Sequence, residues 1–260
     1  MQSLTSKALR KILKKLSLSP TVFIFLDYDG TLAPIAPTPE EAQMPASTAK
    51  ILKKLDLNPL IHLAIVSGRK LSEISKRVRL PGMILAGNHG LEIEGNHFKY
   101  IHPQIKFFNK IRPKAKKVLE DLVPSYPGTR LEDKTLSLTF HYRKHGASHA
   151  WEIRRRIQKA LFPWESRLQI LDAKMAFEIR PKVSWDKGHA VRWILCHQNP
   201  SACPVYIGDD FNDESAFQAV RNQGVPIRVG YVPKSQAKYY VRGPAQVAGF
   251  LKSLGKTIQA

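Results

Sequence analysis

From Thr21 to Leu26, TVFIFL, every residue is β-branched, aromatic or leucine. A strand with one wet face alternates polar and apolar residues, whereas an unbroken run must be covered on both faces, as in the centre of a parallel sheet. Leu60–Val66, LIHLAIV, is a second run of this kind. The pattern between and after them is helical: residues 45–57, opened near Ser47, and then Leu71 to Val78. A short third strand is expected at Gly82–Ala86. Leu91–Glu94 and His97–Tyr100 flank Gly95-Asn96 as a hairpin. The order β-α-β-α-β predicts a doubly wound α/β sheet of Rossmann-like architecture.

That pattern then breaks. Residues 104–122 read as a helix, and Thr129–Leu131 and Leu136–Tyr142 as strands. In the second of these, Leu136, Leu138, Phe140 and Tyr142 alternate with Ser137, Thr139 and His141, which predicts one wet face. Residues 147–161 read as a basic helix, and Leu168–Leu171 and Ala176–Ile179 as strands. The sum is an αββαββ block of antiparallel character. The α/β pattern resumes with a helix at Lys187–Gln198, a strand at Pro204–Ile207, a helix at Glu214–Arg221, a strand at Pro226–Val229, a strand ending near Val241 and a helix at 244–254. We therefore expect a core domain of 1–103 and 182–260 with an inserted domain of 104–181.

With 260 residues, 43% of them hydrophobic, the chain is long enough for a sizeable core. Its two cysteines, Cys196 and Cys203, cannot build a disulfide framework or a cysteine metal site, which points to a reducing, cytoplasmic setting. No apolar run reaches the roughly 20 residues of a membrane span. Lys plus Arg number 41 against 21 Asp plus Glu, a net charge of +20. A charge this large favours phosphate-bearing partners. The basic residues are dispersed, and neither zinc-finger spacing nor an RNP-like aromatic motif is present, which argues against nucleic acid as the main partner. An anionic small molecule drawn into a basic cleft fits better. The first twenty residues lack an acid, as transit peptides do, but Leu4, Leu9, Ile12, Leu13 and Leu16 keep helical spacing, so a surface helix closed by Pro20 is expected.

The chemistry concentrates at strand ends, where ligands gather in open α/β sheets. Asp27-Tyr28-Asp29-Gly30-Thr31 follows the first buried strand directly. Asp27 is placed to attack phosphorus and form an acyl phosphate. Asp29 can protonate the leaving oxygen and later activate water. Mg²⁺, an oxygen-seeking cation, neutralises carboxylate and phosphate together, and Gly30 lets the backbone turn closely. Ser67-Gly68-Arg69 follows the second strand, offering a hydroxyl, backbone N–H groups and a fixed cation to phosphate oxygens. Gly208-Asp209-Asp210-Phe211-Asn212-Asp213-Glu214 follows a third strand, and its acids repel one another unless a divalent cation intervenes. We expect Asp27, Asp29, Asp209 and Asp210 around the metal, Asp209 closest, with Asp213 or Glu214 partly capping the next helix. Lys187, opening the helix before that strand, can pair with Asp27 and phosphate.

The order Asp27-x-Asp29-Gly30-Thr31, Ser67, Lys187, Gly208-Asp209-Asp210 resembles the four motifs of the haloacid dehalogenase superfamily. More narrowly, the stretch from Asp27 to Ile35 looks like the opening motif of trehalose-6-phosphate phosphatases. Ser67-Gly68-Arg69, Asn88-His89-Gly90, Glu132-Asp133-Lys134, His141-Tyr142-Arg143, Glu178-Ile179-Arg180-Pro181, Trp185-Asp186-Lys187-Gly188 and Asp213-Glu214 agree with it, so the resemblance runs from about 20 to 218. It implies Asp27 as nucleophile, Asp29 as acid/base, Mg²⁺ held by Asp27, the Asp29 carbonyl and Asp209, and phosphate held by Ser67, Gly68 and Lys187. The inserted domain would be a cap closing over the sugar, with Glu132, Lys134, Arg143 and Glu178 facing its hydroxyls, and with Arg69, Asn88 and His89 also at the substrate. Asn212 departs from the family pattern, which more often has Thr there. The activity this resemblance implies is Mg²⁺-dependent hydrolysis of trehalose 6-phosphate to trehalose and phosphate, through an aspartyl phosphate, by a monomer. Sucrose 6-phosphate, mannosylglycerate phosphate and hexose phosphates are the rival substrates, and a basic nucleic-acid-binding protein is the alternative of another class.

Overall fold

A computed structural model of the chain describes every residue except 39, 79, 135 and 260, and the side chain of residue 147. In chain order the elements are β1 (Gln2–Ser3), α1 (Ser6–Ser17), β2 (Val22–Leu26), α2 (Ala46–Asp56), β3 (Ile61–Val66), α3 (Leu71–Arg77), β4 (Ile84–Gly87), β5 (Glu92–Gly95) and β6 (Phe98–Ile101). There follow α4 (Ile105–Glu120), β7 (Arg130–Asp133), β8 (Leu138–His141), α5 (Ala150–Leu161), β9 (Leu168–Ala173) and β10 (Ala176–Pro181). The last are α6 (Lys187–Gln198), β11 (Cys203–Gly208), α7 (Glu214–Val220), β12 (Val225–Val229), β13 (Tyr239–Val241) and α8 (Pro244–Thr257). The chain divides into two compact units, Met1–Tyr100 with Trp185–Ala260, and Ile101–Ser184.

The first unit is an α/β domain on one nine-stranded sheet, ordered β1-β13-β12-β11-β2-β3-β4-β5-β6. Neighbours from β1 to β4 run parallel, and β5 turns antiparallel on β4. All five residues of β2 are buried. Their side chains alternate between two cores: Val22, Ile24 and Leu26 pack on one side of the sheet, Phe23 and Phe25 on the other. This is the two-sided burial that an unbroken apolar strand requires. Helix α1 is capped by the Thr5 hydroxyl, which accepts from the Ala8 N–H, and it buries Ala8, Ile12 and Leu16. The short strand β1 ahead of it, paired in parallel with β13, has no counterpart in the sequence reading. Helix α2 begins at Ala46, beside Ser47 as expected, with Pro45 at its N-cap position and no side-chain cap.

The second unit is αββαββ, its four strands ordered β7-β8-β10-β9 and antiparallel throughout. Leu138, Phe140, Phe177 and Ile179 share a core with Phe108, Ala115 and Leu119 of α4 and Ile153, Ile157 and Leu161 of α5. Side chains alternate across a strand, so the opposite sheet face carries Glu132, Thr139, His141 and Glu178, with Glu132 and Glu178 both in register with Thr139. The expected wet face of β8 is not wet at Ser137 and Thr139: both are buried, and the hydroxyl of each has no partner among the described residues. No helix among the described residues is long and apolar enough to cross a membrane.

Candidate active site

Strand register brings the motifs of the first unit together. Leu26 pairs with Ile207 on one side and Ile65 on the other, so the carboxyl ends of β11, β2 and β3 lie level. Asp27 follows Leu26, Ser67 follows β3, and Asp209 follows β11. Helix α6 leads into β11 and opens with Lys187 behind its N-cap Asp186, whose carboxylate accepts the His189 N–H at 2.9 Å. One end of three adjacent strands is thereby loaded with acids, a hydroxyl and a lysine.

Lys187 lies at the centre. Its Nζ donates to Asp27 Oδ1 at 2.8 Å and to Asp213 Oδ1 at 2.7 Å, with its side chain 3% exposed. Burial alone would lower the lysine's pKa; the charges of Asp213 and Asp27 override that and raise it, which keeps the ammonium charged. Tyr206 donates its hydroxyl to the same Asp213 oxygen at 2.6 Å. Among the described residues, Asp27, Asp209 and Asp213 each offer a carboxylate oxygen within 4.8 Å of one another. Burial pushes the Asp27 carboxyl well up, against the pull of Lys187, and Asp213 and Asp209 push it further. Burial and the proximity of Asp213 likewise push Asp209 up to about 6. One lysine therefore does not balance three acids. Carboxylate oxygens in excess of the local positive charge are the donor set a hard divalent cation takes. The backbone is shaped to the same end: Gly30 has φ +75°, and a Cβ there would sit 2.1 Å from Asp209 Oδ2.

Asp210, expected among the metal ligands, is turned elsewhere. Its side chain caps the turn at Phe211–Asp213, accepting from the Phe211 N–H at 2.7 Å, while Asp213 Oδ2 accepts the Asp210 N–H at 2.9 Å. Asp213, expected only as a partial cap, closes this box with one oxygen and holds Lys187 and Tyr206 with the other. Glu214 takes no part in the cluster; it pairs with Arg228 at 2.7 Å and accepts from Ser235. Arg228 also donates to the carbonyls of Asp209 and Asp210, at 2.5 and 3.1 Å, fixing the loop that carries them. It is the single cation in the buried strand β12, and that contrast was the available signal for a residue the sequence reading missed.

The Ser67 loop is clamped from both sides. Ser67 Oγ accepts the Arg69 N–H at 3.1 Å, and the carbonyls of Ser67 and Arg69 accept the N–H groups of His89 and Asn88 at 2.9 and 2.8 Å. Asn88, His89 and Gly90 are all left-handed, at φ 50°, 56° and 89°. Non-glycine residues held in that region store on the order of 1–3 kcal/mol each, a cost met at ligand-shaping loops. Asn88 is 1% exposed, and its Oδ1 has no partner among the described residues. The guanidinium of Arg69, expected as a phosphate cation, is engaged with the Asp29 carboxylate through two contacts of 2.6 Å.

In the second unit, Glu132, Lys134 and Glu178 lie on or beside the polar face of its sheet. His141 meets Glu132 at 2.7 Å. Burial would raise the Glu132 pKa, but this hydrogen bond and the charges of Lys134, His141 and Arg130 lower it. Arg143 is not among them: it lies beyond the end of β8, exposed, and reaches the Lys174 carbonyl at 3.5 Å.

The family model for trehalose-phosphatase matches residues 25–245. The chain is 32% identical over 250 residues to trehalose-phosphate phosphatase B of Arabidopsis thaliana, covering 90% of this chain and 66% of that protein. It is also 32% identical over 250 residues to a trehalose-phosphate phosphatase of Mycobacterium marinum, covering 92% and 63%. The chain thus spans less than two thirds of these relatives. Among solved structures, a trehalose-6-phosphate phosphatase related protein superposes with a TM-score of 0.77 at 27% identity, over 90% of this chain and 97% of that one.

Proposed function

Because this chain belongs to the trehalose-phosphatase family, we propose that it hydrolyses trehalose 6-phosphate to trehalose and phosphate through an aspartyl phosphate on Asp27. The observation that carries this reading is Lys187 bridging Asp27 and Asp213 at the level ends of three parallel strands. Asp27 Oδ1 is held by Lys187, which leaves Oδ2 for the attack on phosphorus. As the new P–O bond forms, the bond to the sugar oxygen breaks, and Asp29 gives that oxygen its proton. Water then attacks the aspartyl phosphate, Asp29 takes the water's proton, and phosphate leaves with the Asp27 carboxylate restored. Ser67 Oγ, the Gly68 N–H and Lys187 orient the phosphate oxygens, and most of the catalysis is positioning and charge neutralisation. Mg²⁺ is the cation that suits Asp27, Asp209 and the Asp29 carbonyl, and when bound it would neutralise the crowded carboxylates and the phosphoryl charge.

We assign recognition of the sugar hydroxyls to Glu132, Lys134 and Glu178. Thr139 adds a buried hydroxyl in register between the two glutamates. A site of this kind rejects analogues that leave its polar groups unpaired. The free thiols of Cys196 and Cys203 suit a reducing compartment such as the cytoplasm.

The test is phosphate release from trehalose 6-phosphate, with Mg²⁺ and with EDTA, beside glucose 6-phosphate and sucrose 6-phosphate at equal concentration. Mg²⁺-dependent release from trehalose 6-phosphate alone is the expected result. Release from the other sugars instead would retain the Asp27 chemistry and overturn the assignment of the recognition residues. No release from any would overturn the phosphatase reading.

A further inference from the structure

We propose that Arg69 is a positioning residue for the acid/base Asp29, and that it does not act as a phosphate ligand. The inference rests on the phosphatase reading above and assigns a task to a residue of that same site. Nε and Nη2 of Arg69 donate to the two carboxylate oxygens of Asp29, each at 2.6 Å, a fork-on-carboxylate pairing that fixes direction as well as distance. The guanidinium itself has little freedom. Its side chain is 8% exposed, lies over the Tyr28 ring at 5.5 Å, and has Glu73 at 3.9 Å from Nη1. Its backbone is pinned through the Ser67 hydroxyl and the Asn88 N–H.

Asp29, by contrast, is 41% exposed in its side chain and sits beside the left-handed Gly30. Left alone at such a position, a carboxylate would spread over several rotamers. Proton transfer to a leaving oxygen needs a heavy-atom separation of about 2.6–3.2 Å, so a carboxyl that wanders loses most of its catalytic value. Arg69 supplies the constraint from the buried side while the outer edge of Asp29 remains open. The same geometry occupies Nε and Nη2 with the Asp29 carboxylate. Holding phosphate is left to Ser67 Oγ, the Gly68 N–H and Lys187.

The two roles predict different kinetics. A phosphate ligand acts on every phosphate ester and is read in KM. A positioning residue for Asp29 acts only on the steps that move a proton. Arg69→Lys keeps the charge and removes the fork. For trehalose 6-phosphate, whose sugar oxygen must be protonated, we expect kcat to fall about tenfold or more, with KM and the inhibition constant of inorganic phosphate within about twofold of wild type. p-Nitrophenyl phosphate has a leaving group that needs no proton. With it, the first step survives and the water step slows, so the variant releases a burst of nitrophenol equal to the enzyme present before slow turnover. Asp29→Asn should behave alike, and adding Arg69→Lys to it should lower kcat no further. This non-additivity separates positioning from general damage, and thermal unfolding of each variant checks the fold.

A rise in KM for both substrates with kcat unchanged, or losses that multiply in the double variant, would overturn the proposal. A wild-type enzyme that turns over p-nitrophenyl phosphate and ignores trehalose 6-phosphate would refute the sugar assignment, while the burst would still decide the role of Arg69. Inactivity on both would overturn the two together.

Discussion

Replacing Lys187 with Met removes a buried cation and leaves its two acids behind. The lysine side chain is 3% exposed, and its partners Asp27 and Asp213 are 7% and 0% exposed. Met fills nearly the same volume, so loss of packing is a minor term. The loss comes from charge: breaking a buried pair by deleting one partner costs about 3–5 kcal/mol, because the other stays desolvated. Here two partners are stranded, and a third acid, Asp209, lies within 4.8 Å. The upper part of that range is therefore expected. For a protein of this size each kcal/mol moves Tm by roughly 2–4 °C, so the transition should fall by about 8–20 °C in EDTA. The assay is thermal unfolding followed by circular dichroism, with Lys187→Met compared with Lys187→Met/Asp213→Asn. Neutralising Asp213 removes one stranded charge and should recover a good part of the loss. A fall of less than about 2 °C, or no recovery in the double variant, would show that Lys187 is not what stabilises the acidic cluster.

Other outcomes follow from the same geometry. Asp27→Asn should abolish phosphate release from trehalose 6-phosphate while the protein still unfolds cooperatively, since the amide keeps the shape and loses the nucleophile; an active, folded variant refutes the mechanism. The Asp209 carboxyl, pushed up to about 6, keeps in the folded protein a proton that the unfolded chain loses near pH 4. The folded state binds more protons across that window, so metal-free stability falls as pH rises through it. Mg²⁺ should then raise Tm more at about pH 7.5 than at about pH 5, read by differential scanning fluorimetry, and equal shifts would contradict the cation assignment. Gly30→Ala places a methyl where Asp209 Oδ2 stands and strains a φ of +75°, so the Mg²⁺ needed for half-maximal activity should rise. Gly243→Ala, with nothing within 4 Å of its new Cβ, is the control that should not change it.

The sequence disclosed those parts of the site that backbone order alone determines. Asp27, Ser67 and Asp209 each follow an apolar run, and a parallel sheet must bring such positions to one edge. Choices between side chains on one short turn were not legible in the same way. The run of acids from Asp209 to Glu214 looks uniform on paper. Which of them faces inward is decided by the single turn at Phe211–Asp213, which returns Asp213 to Lys187 and Tyr206 and uses Asp210 as a cap. Arg69 could not be paired with its partner from the sequence for a related reason. Its place beside Ser67 is consistent with phosphate, but the nearer anion is Asp29, forty residues earlier, and only the folded chain joins them. The short strand β1 was illegible because its pairing partner, β13, lies at the far end of the chain.

The protein as a whole carries +20. Residues 101–184 hold 18 of its 41 basic and 8 of its 21 acidic side chains, a net +10 on 84 residues. At the candidate site the sign is reversed: with Asp27, Asp209 and Asp213 ionised against Lys187, the cluster carries two negative charges in excess. A long-range positive field steers an anion toward the molecule, yet that cluster would repel a phosphate dianion at contact. Burial raises the pKa values of Asp27 and Asp209, and the neighbouring acids add to it, so both groups feel the charge imbalance. A single divalent cation cancels it, so the metal and the phosphate are expected to bind with positive coupling. Trehalose 6-phosphate should bind measurably more weakly in EDTA than in Mg²⁺ even to the inert Asp27→Asn protein, where no turnover obscures the measurement.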